Sequence, residues 1–159
     1  MDEGPRKEFM DQAIAAALEG VRTGQGGPFG AAVVRGSDVL AIACNRVTSR
    51  SDPTAHAEIE AIRAACAKLG THRLEGCELY ATCEPCPMCL AAAYWARVVR
   101  IVHGCDREDA ARAGFDDRLL YQELGLPAGR RRIELVPYRR DDALEPFRAW
   151  LAQEDRIPY

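Results

Sequence analysis

Apolar positions along the chain recur with two periods, and the switches between them lay out the elements. From Pro5 to about Thr23, Phe9, Ile14, Ala17, Leu18 and Val21 recur on one face, which predicts an amphipathic helix. It stops at the cluster Gly24-Gln25-Gly26-Gly27-Pro28, a tight loop. Phe29 to Arg35 then reads as a strand, Gly36-Ser37-Asp38 as a hairpin turn and Val39 to Cys44 as the returning strand. After a polar loop, Asp52-Pro53-Thr54 opens a helix, with Asp52 as N-cap and Pro53 at the first helical position. Ile59, Ile62, Cys66 and Leu69 form its apolar stripe and Gly70 its C-cap. Glu78 to Thr82 is a short strand, and a helix runs from about Pro85 to Ala96. Val98 to His103 is dense in β-branched residues and reads as another strand. Asp116 to Leu124 predicts a short helix, Ile133 to Val136 a fifth strand and Leu144 to Gln153 a last helix. A hairpin followed by alternating strands and helices predicts an α/β fold in three layers, α/β/α, with helices on both faces of a mixed five-stranded sheet.

At 159 residues the chain predicts a single domain. Hydrophobic residues make up 48% and charged residues 28%, a globular balance that argues against intrinsic disorder. No apolar run reaches the roughly 20 residues of a membrane span, and the N-terminal residues lack the apolar stretch of a signal peptide. Both point to a cytoplasmic protein. The net charge of −3 lacks the basic excess of a general nucleic-acid binder. The short basic clusters Arg130-Arg131-Arg132 and Arg139-Arg140 read as solvated faces. Seven cysteines in a reducing compartment imply no disulfide framework. Three of them crowd into Cys83-Glu84-Pro85-Cys86-Pro87-Met88-Cys89, which points to metal or redox chemistry.

Two segments carry the chemistry: His56-Ala57-Glu58 and Pro85-Cys86-Pro87-Met88-Cys89, each at a predicted helix start. The pair H-x-E and P-C-x-x-C is the signature of zinc-dependent base deaminases. Two thiolates and one neutral imidazole make three protein ligands, and a catalytic zinc keeps its fourth position for water. Cys86 and Cys89, three apart at a helix start, can face one point, where the helix dipole favours thiolates. Zinc lowers the pKa of bound water toward about 7. Glu58, two residues from His56, is placed to move that water's proton. The competing reading is a structural zinc knuckle with Cys83 as fourth ligand, and spacing alone leaves it open. Cys44, Cys66, Cys77 and Cys105 read as structural, and His72 and His103 as loop and strand-end residues.

The sequence resembles the bacterial guanine deaminases of the cytidine deaminase superfamily. The resemblance covers nearly the whole chain through GGPFGA (26–31), DPTAHAE (52–58), CEPCPMC (83–89), YWAR (94–97), AGFDD (113–117) and the terminal tyrosine. It implies a cytidine-deaminase-like fold with one zinc per subunit, held by His56, Cys86 and Cys89. The implied reaction is hydrolysis of guanine to xanthine and ammonia, cleaving a cyclic amidine C–N bond. Zinc-bound hydroxide would be the nucleophile and Glu58 the proton shuttle. By the same resemblance Phe29 stacks on the purine, Asn45 hydrogen-bonds the base, and Ala57 and Trp95 line the pocket. Asp117 contacts substrate or moves protons. The family likeness also implies a homodimer that exchanges its C-terminal segment, about residues 141–159, so that Tyr159 closes the partner's pocket. The competing substrates are guanosine, another amino-heterocycle such as ammeline, and adenosine in tRNA. A zinc-binding module without catalysis is the alternative from another class. The acidic balance argues against RNA, whose phosphates need cationic contacts.

Overall fold

The hairpin predicted at residues 36–38 is present in the computed structural model of the chain, which describes residues 4–158. Strand β1 (Gly30–Arg35) pairs antiparallel with β2 (Asp38–Cys44), from Gly30 opposite Cys44 to Arg35 opposite Asp38. Gly36, at φ +57°, takes the left-handed turn conformation that a side chain would disfavour. On its other side β1 pairs antiparallel with β3 (Glu78–Cys83), and β3 pairs parallel with β4 (Arg100–Cys105). Parallel neighbours need a crossover, and helix α4 (Pro87–Trp95) supplies it. The sheet order is β2-β1-β3-β4, with β4 at an edge.

Alternation along the strands divides the core between two faces. Ala31, Val33 and Leu79 pack with Ala57, Ala61, Ile62 and Ala65 of α3 (Ala57–Leu69) and with Ala93 of α4. Ala32, Val34 and Tyr80 pack with Phe9 of α1 (Lys7–Arg22) on the opposite face. The Phe9 and Tyr80 rings meet edge to face, 5.3 Å between centroids. This is the layered α/β/α arrangement expected. Gly30 allows α1 to lie close to the sheet, since a Cβ there would stand 2.0 Å from the Ala13 carbonyl oxygen.

Four expectations need correction. The described residues form a four-stranded sheet, and residues 133–136 join no ladder. Ile133, Leu135 and Val136 are exposed, and an apolar run without a neighbouring strand has no hydrogen-bonded partner to hold it extended. Second, α3 starts at Ala57, with His56 rather than Asp52 at its N-cap position. Asp52 Oδ1 instead accepts from the Thr54 N–H (2.8 Å) and Thr54 Oγ1 (2.7 Å), and this local turn delays the helix. Third, the apolar face of α1 is split. Phe9, Ala13, Ala17 and Gly20 are buried, whereas Ile14, Leu18 and Val21 are exposed. Fourth, the pattern does not predict three short helices, α2 (Val47–Arg50), α5 (Arg107–Arg112) and one at Arg140–Ala143, nor the 3₁₀ turn at Ala128–Arg130.

The chain divides into two compact units, one ending at Asp117 and the other starting at Arg118. The second holds α6 (Arg118–Gly125), a 3₁₀ turn (Ala128–Arg130), α7 (Arg140–Ala143) and α8 (Glu145–Leu151). Arg131 Nε donates to the Leu126 carbonyl (3.0 Å), and the Arg132 N–H donates to Glu123 Oε2 (2.7 Å). None of its described residues is buried. Among the described residues no helix is long and apolar enough to cross a membrane.

Candidate metal centre and active site

Two chain turns deliver the metal ligands. The loop after β2 ends at His56, whose backbone is still extended (φ −68°, ψ 154°) as α3 begins. The chain leaving β3 reaches Cys86 in the same extended state (φ −64°, ψ 168°), and Pro87 opens α4. Cys86 and Cys89 then stand one helical turn apart. His56 Nδ1 lies 3.7 Å from Cys86 Sγ and 3.5 Å from Cys89 Sγ. The three donor atoms lie within 4.8 Å of one another.

That spacing fits a tetrahedral zinc. Bonds of about 2.3 Å to sulfur and 2.0–2.1 Å to nitrogen, at a tetrahedral angle, put the donors roughly 3.6 Å apart. Without a cation the two thiols compete for one proton. The hydrogen bond from Cys89 pulls the Cys86 thiol down to about 4 against the opposing effect of burial. The same bond, followed by burial, pushes Cys89 upward. The hydrogen bond with Cys86 raises His56, against burial. A site this ready to hold thiolate beside imidazole suits a borderline-soft divalent cation. Cys83 is not a fourth ligand. Its Sγ donates to the Asp106 carbonyl (3.4 Å), and burial holds it as a thiol with a pKa near 11. Three protein ligands leave a position open, the pattern of a catalytic zinc.

Glu58 is 7% exposed. Burial raises its pKa, opposed by its own backbone N–H and by His56. A carboxyl with raised proton affinity beside a metal pocket can both take and return a proton. Asp117 is half-buried and also raised, first by burial and then by the negative charge of Cys86, with Arg107 opposing. Asn45 is buried, and its Oδ1 accepts from the backbone N–H groups of Gly27 and Val47, both at 3.1 Å. Its Nδ2 takes part in none of the hydrogen bonds among the described residues. Phe29 is half-buried and meets Phe115 edge to face, centroids 4.9 Å apart at 84°. Ala57 is the buried first residue of α3. Trp95 is the last residue of α4 and 67% exposed, about 9 Å along the helix from Cys89 at 1.5 Å per residue. Tyr159 lies outside the described residues.

Phe115 and the ion pair from Arg107 Nη2 to Glu84 Oε1 (3.1 Å) were not singled out from sequence. Phe115 lies inside AGFDD, so the motif was visible, but its contact with Phe29 joins residues far apart in the chain.

Comparisons with known proteins agree with this geometry. Residues 4–105 match the family model for the cytidine and deoxycytidylate deaminase zinc-binding region. The chain is 48% identical over 142 residues to the guanine deaminase of Bacillus subtilis strain 168, covering 89% of this chain and 91% of the relative. The X-ray structure of guanine deaminase from Bacillus subtilis superposes with a TM-score of 0.93 at 44% identity, covering 98% of this chain and 99% of that one. The tRNA-specific adenosine deaminase of Aquifex aeolicus is 40% identical over 97 residues, covering 61% of this chain and 64% of the relative.

Proposed function

The chain belongs to the cytidine and deoxycytidylate deaminase family, and we propose that its reaction is the hydrolysis of guanine to xanthine and ammonia. One observation carries the choice of base. Likeness to the guanine deaminase covers 89% of the chain in sequence, well past the zinc region, whereas likeness to tRNA-specific adenosine deaminases covers 61–72%.

His56, Cys86 and Cys89 hold the zinc, which supplies Lewis acidity that brings a water's pKa toward about 7. Glu58 takes a proton from the attacking water and passes it to the ring nitrogen beside the carbon bearing the amine. The same carboxylate then takes the second proton, from the hydroxyl now bonded to that carbon, and delivers it to the amino group; the C–N bond breaks, ammonia leaves and the carbon–oxygen bond becomes the carbonyl of xanthine. Burial supports this role by giving Glu58 the proton affinity to hold each proton between transfers. Asn45 offers its Nδ2 donor to a base oxygen, because its Oδ1 is already occupied. Phe29 presents an aromatic face to the purine, and Asp117 accepts from the base or relays a proton. Ala57, Trp95 and Tyr159 complete the pocket in this reading, the last from the partner subunit.

The same proposal includes a homodimer that exchanges residues 141–159. Three features support it. Ile14, Leu18 and Val21 of α1, with Met10, Pro28 and Cys105, line an apolar groove of about 540 Å³. Beside it β4 leaves an open sheet edge, a template for another strand. The second unit meanwhile exposes Ile133, Leu135, Val136, Phe147 and Leu151, apolar side chains that a partner would cover.

The test of the reaction is ammonia release by the zinc-loaded protein from guanine, guanosine, ammeline, adenine and cytosine in parallel. Guanine is expected to be turned over fastest. Release mainly from guanosine or ammeline overturns the choice of base but leaves the metal chemistry. Release from none of them overturns the reading altogether.

A further inference from the structure

The described residues bury three polar side chains, Asn45, Glu58 and Glu60. The proposed reaction uses the first two. Glu60 is two residues beyond Glu58 on α3, so the two carboxylates project about 200° apart around the helix axis. Glu60 is thereby turned away from the metal ligands. A carboxylate buried at 9% exposure is costly unless it is paired, and Glu60 is paired twice. Its Oε2 lies 2.5 Å from Arg50 Nη1, and its Oε1 lies 3.2 Å from Arg63 Nη1. Arg63 extends the network, reaching Asp52 Oδ2 at 3.8 Å and donating to Thr54 Oγ1 at 3.4 Å.

Arg50, Asp52 and Thr54 all belong to one loop, whose ends are residues the reaction needs. Asn45 stands before it and His56 after it. Backbone bonds close the loop on itself. The Arg46 N–H donates to the Ala55 carbonyl (2.9 Å) and the Asp52 N–H to the Val47 carbonyl (3.1 Å). Beyond that ring, the Ser49 N–H (3.2 Å) and Thr48 Oγ1 (3.3 Å) both donate to the Gln25 carbonyl on one side of the tip, and the Glu60 carboxylate ties the other side to α3 through Arg50. Slack in the tip is transmitted to Val47, whose N–H is one of the two donors that orient the Asn45 amide.

We propose that Glu60 is a positioning residue: its buried carboxylate pins the 46–55 loop to α3 and thereby holds the Asn45 amide in place for the base. The inference rests on the proposed role of Asn45. The ligands and Glu58 sit at the starts of α3 and α4, so loss of the pin acts on binding of the base rather than on the chemical step.

The test uses the zinc-loaded, full-length protein with Glu60→Gln, which keeps the shape and removes the charge. KM for guanine is expected to rise about tenfold with kcat within about threefold, the pattern of lost ground-state binding. Zinc content stays the same, and amide hydrogen exchange over 46–55 quickens while that of α3 does not. Glu60→Asp restores part of the effect. Arg50→Gln, at a half-exposed side chain, reproduces it, and decides the matter should Glu60→Gln fold poorly. Unchanged KM together with unchanged exchange overturns the proposal. So does a parallel fall in kcat and zinc content, which would make Glu60 a support of His56. If the unmodified protein leaves guanine untouched, it is the guanine reading that fails. Exchange over 46–55 in the variant then still decides whether Glu60 pins the loop.

Discussion

Burial gives Glu58 a raised proton affinity, and its neighbour two residues away, His56, is a metal ligand. These two facts separate proton transfer from metal binding at the scale of single residues. Glu58→Gln keeps the volume and a hydrogen-bonding head but cannot exchange protons. Turnover of guanine is expected to fall by roughly 10²–10⁴-fold, the usual weight of a general acid–base group, with zinc content and unfolding midpoint retained. Ammonia release and metal analysis on the same preparation check this, and a variant that still turns over normally removes Glu58 from the reaction. Cys89→Ser acts on the other half of the site. Cys89 is fully buried and supplies one of three donors. The variant is expected to lose zinc on dialysis against a weak chelator that leaves the unmodified protein loaded.

Helix α5 is short, and its start is secured by a reciprocal cap. Asp106 Oδ1 accepts from the Asp109 N–H (2.9 Å), and Asp109 Oδ2 accepts from the Asp106 N–H (3.0 Å). The helix leads directly into residues 113–117, so the cap sets where Phe115 and Asp117 emerge. The backbone bond from Asp106, joined by Arg112, holds the Asp109 carboxyl below its ordinary value. A depressed folded pKa means that the stabilisation is fully present above the unfolded value, near 3.8, and is lost as pH falls through the folded one. Asp109→Asn is therefore expected to lower the unfolding midpoint by a constant amount at pH 5–7. The gap between variant and unmodified protein should close below about pH 4. Thermal melts of both proteins across pH 3–7 measure this, and a gap that persists unchanged at pH 3 refutes it. At the same scale, α1 shows that one helix can present two apolar faces. The strip of Phe9, Ala13 and Ala17 packs on the sheet, while Ile14, Leu18 and Val21 line the groove.

For the whole molecule, the second unit is the part in which none of the described residues is buried. The proposed dimer accounts for its exposed apolar side chains and for the open edge of β4. In solution the mass is expected to be twice that of the chain, and deleting residues 141–159 is expected to abolish guanine turnover while zinc stays bound. Light scattering and metal analysis check both. A monomeric full chain, or a truncated chain with unchanged kinetics, overturns the exchange.

Local rules carried the reading a long way. Periodicity located the hairpin, the crossover around α4 and the alternation that makes an α/β sheet, because those features depend on neighbours two to four residues apart. The ligands of the metal centre were equally legible, since C-x-x-C sets its two sulfurs one helical turn apart and H-x-E sets a carboxyl beside the imidazole, but the meeting of His56 with thiols 30 and 33 residues further on is the work of the fold. Tertiary structure decided what depends on distant partners. It excluded Cys83 as a ligand by giving its thiol the Asp106 carbonyl, and it set Phe115 against Phe29. It also left residues 133–136 without a ladder, because an apolar run becomes a strand only where another strand offers its edge. Glu60 is the clearest case. In the sequence it is one more acidic residue on a helix. Its burial, and the two arginines that make that burial tolerable, exist only once the loop has folded back over α3.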